Sequence, residues 1–159
     1  MITENTQSGL NVLIDALIRA VSPISNAIDQ TLLLLLMYLC DWHCSVKYDC
    51  RFTNIVWKVS RRGLLEVGME TYIRTHADLY EVDDLACRVK VKCANQVHPN
   101  EVEMSVIERV ARLYKEKQRA GLVTFVLSTY PILSASSEAL VEIDLLDMAR
   151  SYRALRNSI

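Results

Sequence analysis

The densest run of reactive side chains in this 159-residue chain is Cys40-Asp41-Trp42-His43-Cys44, with Cys50 following shortly after. On a helix, Cys40, His43 and Cys44 stand at i, i+3 and i+4 and share one face, so three soft ligands could converge on a metal. A structural zinc ion takes four ligands in a tetrahedron, and Cys50, Cys87 or Cys93 would have to supply the fourth. The spacing matches no zinc-finger pattern, in which closely spaced ligand pairs flank a loop. Cysteine is also among the residue types most often buried as a plain hydrophobe, and that reading of these thiols is preferred. A cysteine nucleophile is the second chemistry, with Cys40 or Cys44 attacking and His43, His76 or His98 as base. It requires a lowered thiol pKa and an oriented base, and sequence neighbours on a helix do not face one another.

Other catalytic patterns are missing. There is no glycine-rich phosphate loop, no G-x-S-x-G elbow and no H-E-x-x-H helix. Asp83, Asp84, Asp144 and Asp147 suit turns and helix starts better than a carboxylate pair. The expectation is therefore a protein that is not an enzyme and uses no cofactor. Basic residues do cluster: Arg51, Lys58, Arg61 and Arg62; Arg88, Lys90 and Lys92; Arg109, Arg112, Lys115, Lys117 and Arg119. The first 46 residues carry only Arg19 against Glu4, Asp15, Asp29 and Asp41. Such asymmetry suits an electrostatic interface, and Arg61, Arg62, Arg109, Arg112 and Lys115 are the expected contacts with an acidic partner. Nucleic acid is disfavoured as a partner, because no aromatic residues interleave with the basic ones and no helix-turn-helix spacing occurs.

The elements that must position these groups follow from composition and periodicity. Hydrophobic residues make up 51% and charged residues 23%, which excludes a disordered chain. With 4 glycines and 3 prolines the chain lacks the turns of an all-β sandwich or barrel. A net charge of −1 excludes a binder that holds nucleic acid by bulk charge. The most apolar run, Leu32 to Cys40, is far short of the roughly 20 residues of a membrane span. No charged n-region precedes an apolar stretch, and five cysteines are an odd number, so a reduced, cytoplasmic protein with no membrane partner is expected.

The expected fold is mainly α or α+β: one compact domain of five or six helices around a central apolar helix, with a small β-hairpin. Residues 1–7 are polar and expected to be flexible. Ser8 is a candidate cap for a helix ended by Ser22-Pro23. The central helix spans about Ala27 to Val46 and is apolar nearly all round from Leu32 to Leu39. Phe52 to Val59 reads as a short strand or extended loop, and Gly63 to about His76 as a helix carrying Leu65, Met69, Tyr72 and Ile73. Leu79 to Val82 and Cys87 to Cys93 read as the hairpin, since Cys87, Val89, Val91 and Cys93 alternate with basic residues. Asn100 and Glu103 form a capping box opening a helix over about Glu101 to Gln118. Gly121 to Thr129 fits a strand or a short buried helix, stopped by Tyr130-Pro131. Ile143 to Leu155 is the last helix, with Leu145, Met148, Ala149, Tyr152 and Leu155 inward.

This order of elements resembles the Panacea (SocA-like) antitoxin domain family over residues 29 to 155. Leu33-Leu34-Leu35-Leu36-Met37-Tyr38-Leu39-Cys40-Asp41-Trp42 stands where that family has a central helix reading roughly K-L-x-K-L-L-Y-x-A-x-W. Phe52 through Trp57 stands at its extended segment, and Val106 to Lys117, Leu122 to Pro131 and Ile143 to Tyr152 at its later helices. The chain departs from the pattern in lacking the motif lysines, in having Gly63-Leu64 for Gly-Pro, and in having Thr129-Tyr130 where a histidine precedes the late proline. The resemblance implies a non-enzymatic module that neutralises a toxin by direct binding or by presenting it to a protease. A phage or mobile-element inhibitor of a host or defence protein is the alternative function, and a zinc-dependent structural module a second. The implied partner is a cognate toxin or a host protein, with a homo-oligomer left open.

Overall fold

A computed structural model of the chain describes residues 9–93, 97–135 and 137–158. The elements are α1 (Leu10–Val21), β1 (Ala27–Asp29), α2 (Gln30–Tyr48), β2 (Val56–Ser60), β3 (Gly63–Val67), α3 (Met69–Thr75), β4 (Tyr80–Asp83), β5 (Arg88–Val91), α4 (Glu101–Leu127), α5 (Tyr130–Leu133), β6 (Val141–Ile143) and α6 (Leu145–Asn157). The fold is α+β. Two three-stranded antiparallel sheets, β1-β5-β4 and β3-β2-β6, flank the helices.

Helix α2 is the central element that its apolar run predicts. Leu33, Leu36, Met37, Tyr38 and Cys40 are wholly enclosed, and α1, α4 and α6 all pack on it. It starts later than its sequence suggests. Residues 27–29 are extended and pair with Arg88–Lys90 of β5, which satisfies their backbone groups. Asp29, extended, caps the helix instead by accepting from the Leu32 amide at 3.0 Å. The helix ends at Tyr48, and Asp49 turns the chain in a left-handed conformation.

The segment read as one helix from Gly63 to His76 is a strand followed by a short helix. Gly63 (φ 155°) closes the β2–β3 turn, and Gly68 (φ 117°) separates β3 from α3, a break that i, i+3 counting does not register. Pairing with β2 then gives residues 63–67 the hydrogen bonds a helix would have given them. Glu66 starts α3 by accepting from the amides of Met69 (2.7 Å) and Glu70 (3.0 Å). The hairpin is present as β4–β5, but it gains β1 as a third strand, while Cys87 and Cys93 lie outside it and are exposed. Val89 and Val91 do face the core.

The Asn100–Glu103 capping box opens α4 as expected, with both reciprocal bonds at 2.9 Å. Beyond a break at Gln118 (φ 57°, ψ 179°) the helix resumes and buries Leu122 and Val126, so residues 121–127 are helical. Tyr130-Pro131 begins α5 rather than ending its predecessor, because a first-turn proline lacks only an amide with no helical partner. On α6, Leu145 and Ala149 are buried, while Leu155, expected inward, is half exposed. Gly9 precedes α1, and the expected cap Ser8 and flexible residues 1–7 lie outside the described residues.

Candidate functional site: a basic groove between α2, α4 and α6

Helix α2 presents two unlike polar faces. On one, Asp41 is sealed in the core at 2% exposure. Its carboxylate accepts from the Thr53 amide (2.7 Å), the Thr53 hydroxyl (2.7 Å) and the Trp57 indole (2.6 Å). Burial outweighs these bonds and holds its pKa above the usual aspartate range. One turn earlier the Tyr38 hydroxyl donates to Thr129 Oγ1 at 2.8 Å, and the Thr129 hydroxyl donates in turn to the Val126 carbonyl at 2.7 Å. These groups satisfy one another and stitch α2 to β2 and to the end of α4.

On the other face, α2, α4 and α6 leave a groove of about 710 Å³. Leu39, Val46, Val110 and Leu113 make it apolar, and Trp42, Phe125 and Tyr152 add aromatic rings. Lys47, Arg109, Arg112, Arg153 and Arg156 also line it, against one carboxylate, Glu116. Arg153 is committed to structure. It donates to the last carbonyls of α2, Ser45 (2.8 Å) and Val46 (2.9 Å), and pairs with Asp49 (2.7 Å). Among the described residues Lys47, Arg109, Arg112 and Arg156 form no ion pair. Arg156 instead sits 5.9 Å from the ring centroid of Tyr152, which in turn packs against Trp42 at 5.7 Å. His43 lines the same groove, and its pKa is lowered by partial burial and by the charges of Arg109 and Lys47.

Of the residues expected to meet a partner, Arg109 and Arg112 line this groove. Lys115, on the same helix, is exposed outside its lining. Arg61 and Arg62 occupy the β2–β3 turn, also outside the lining, and Arg62 pairs with Glu138 at 2.8 Å. Sequence reading missed Lys47, Arg153 and Arg156. The spacing of Arg150, Arg153 and Arg156 along α6 was the available signal. It also found no aromatic residues among the basic ones, whereas the folded groove gathers Trp42, Phe125 and Tyr152 from three different helices.

The cysteine cluster separates in space. Cys40 is wholly enclosed, Cys44 meets Cys50 behind α2, and His43 turns into the groove. No group of three or more His, Cys, Asp and Glu that could hold a metal occurs among the described residues. His76 stacks on Tyr72 and bonds its carbonyl, and His98 is exposed. No described helix is long and apolar enough to cross a membrane. No family model, curated protein or solved structure matches the chain.

Proposed function

We propose that the chain is a non-enzymatic binding domain that holds an acidic segment of a protein partner in the α2–α4–α6 groove. The observation that carries this reading is the combination there of unpaired cations with an apolar, aromatic floor. Aromatic residues and arginine dominate the anchor points of protein interfaces, and unpaired cations select and steer an acidic partner. The aliphatic part of the floor (Leu39, Val46, Val110, Leu113) offers phosphates no donors, and the chain's net charge of −1 gives nucleic acid no general attraction. The resemblance to Panacea domains adds the kind of partner: a cognate toxin, masked directly or delivered to a protease. The odd number of thiols supports a cytoplasmic setting for this activity.

The test is co-expression with the product of the adjacent gene, reading growth rescue and co-elution of a complex. Rescue with a stoichiometric complex that requires the groove cations is the expected result. A complex with an enzyme encoded elsewhere, without a toxic neighbour, would replace the antitoxin by an inhibitor. Salt-sensitive binding of single-stranded oligonucleotides, with no protein complex, would overturn the protein-binding reading altogether.

A further inference from the structure

Cys44 and Cys50 lie outside the groove lining, and the binding reading makes no use of them. Their sulfur atoms are 3.2 Å apart and both thiols are free. The surrounding structure holds them there from both sides. Cys44 is fixed on α2, buried at 3% exposure. Asp49, left-handed at φ 52°, turns the chain back beside the helix, and Arg153 and Arg150 of α6 hold its carboxylate at 2.7 and 3.6 Å. Beyond Cys50, Phe52 is buried and Thr53 is bonded to Asp41 by both its amide and its hydroxyl. Cys50 itself is only half-buried and so reachable from solvent.

We propose that Cys44 and Cys50 form a dithiol site that reacts with low-molecular-weight disulfides of the glutathione class and closes to an intramolecular disulfide. The Cys50 thiolate attacks one sulfur of the small disulfide, forming a mixed disulfide and releasing one small thiolate. Cys44 then loses its proton to that thiolate, attacks the Cys50 sulfur and expels the second small thiolate, which takes up the proton that Cys50 released to solvent. Two protein thiols lose two electrons, and one external disulfide becomes two thiols carrying the two protons. Accessibility sets the order, since Cys44 is buried and its pKa is pushed up by burial and by the hydrogen bond and charge of Cys50. Capping Cys50 removes the last two of these while burial remains, so the second step relies on the 3.2 Å approach of the two sulfurs. Because α2, Arg153 and Thr53 already hold the loop in place, little chain entropy remains to be lost on closure.

The full-length protein is equilibrated in reduced and oxidised glutathione at varied ratio, quenched with acid, alkylated and mapped by mass. The expected result is a Cys44–Cys50 link in oxidising mixtures, with alkylation of both positions reduced at least about tenfold, as effective concentrations of linked groups allow. Cys44→Ser should accumulate glutathione on Cys50, and Cys50→Ser should leave Cys44 unmodified. A Cys87→Ser/Cys93→Ser double variant should keep the link. Unlinked Cys44 and Cys50, both alkylated once the equilibrated wild type is denatured, at every ratio, or a link that joins other cysteines, would overturn the site. The wild-type map decides the question even where Cys44→Ser fails to fold.

Discussion

The two faces of α2 are separated by a single residue step and behave in opposite ways. Asp41 points inward, where three donors meet its carboxylate and no water reaches it. Trp42 and His43 point to the groove, where Arg109 and Arg112 stand without an ion pair among the described residues, beside an apolar floor. Both regions are polar groups set in apolar surroundings. One is closed by partners from the same chain, and the other leaves Arg109 and Arg112 with no carboxylate partner among the described residues. Satisfied polarity holds a fold together, and unsatisfied polarity at a concave surface is what a second molecule can complete.

The strongest way to sharpen this contrast is to remove the inner carboxylate. Asp41→Ala leaves the Thr53 amide, Thr53 hydroxyl and Trp57 indole without their acceptor, and should cost about 3–5 kcal/mol in urea unfolding. Asp41→Asn keeps the shape and separates charge from hydrogen bonding. The folded pKa of Asp41 is raised, so the folded state holds the proton more tightly than the unfolded one. Its contribution is fully present below the ordinary value of 3.8 and is lost as pH rises through the folded value. The stability difference between wild type and Asp41→Asn should therefore shift against the wild type across that rise. A difference independent of pH would mean that Asp41 does not titrate as its burial requires.

The outer face should respond in the opposite manner. Arg109→Glu/Arg112→Glu should weaken the partner complex at least about tenfold, near 1.4 kcal/mol, mainly by slowing association. The same double variant should change unfolding stability by no more than about 0.5 kcal/mol, since neither residue is paired in the fold. Equal binding by wild type and variant in isothermal titration would move the interface away from the groove. Arg61→Glu/Arg62→Glu, at the β2–β3 turn, provides the comparison for a site chosen from sequence alone.

The smallest expected effect belongs to His43. Its folded pKa is depressed, so its contribution to stability is present above the ordinary value of 6.5 and is lost as pH falls through the folded value. His43→Gln should flatten the thermal-melting profile over that interval and leave it unchanged above. An identical profile would show that partial burial and the charges of Arg109 and Lys47 do not depress the ring's pKa as their positions imply.

The amino-acid sequence alone determined the elements whose information is local. The apolar run of α2, the Asn100–Glu103 capping box, the alternation of Val89 and Val91, and the α+β class follow from periodicity and caps within a few residues. Only the tertiary structure decided the pairings of β1 with β5 and of β6 with β2, because strands of three to five residues take their backbone partners from distant parts of the chain. Residues 63–67 show the consequence, carrying a helix-like pattern yet forming a strand, since β2 was available to pair with them. The groove is of the same kind. Arg109 and Arg112 were visible as a charged helix face, but Lys47, Arg153, Arg156 and three aromatic rings join them only because α4 and α6 both pack on α2. A charge declares its helix in the sequence, but which other helices stand beside it is settled by packing the core.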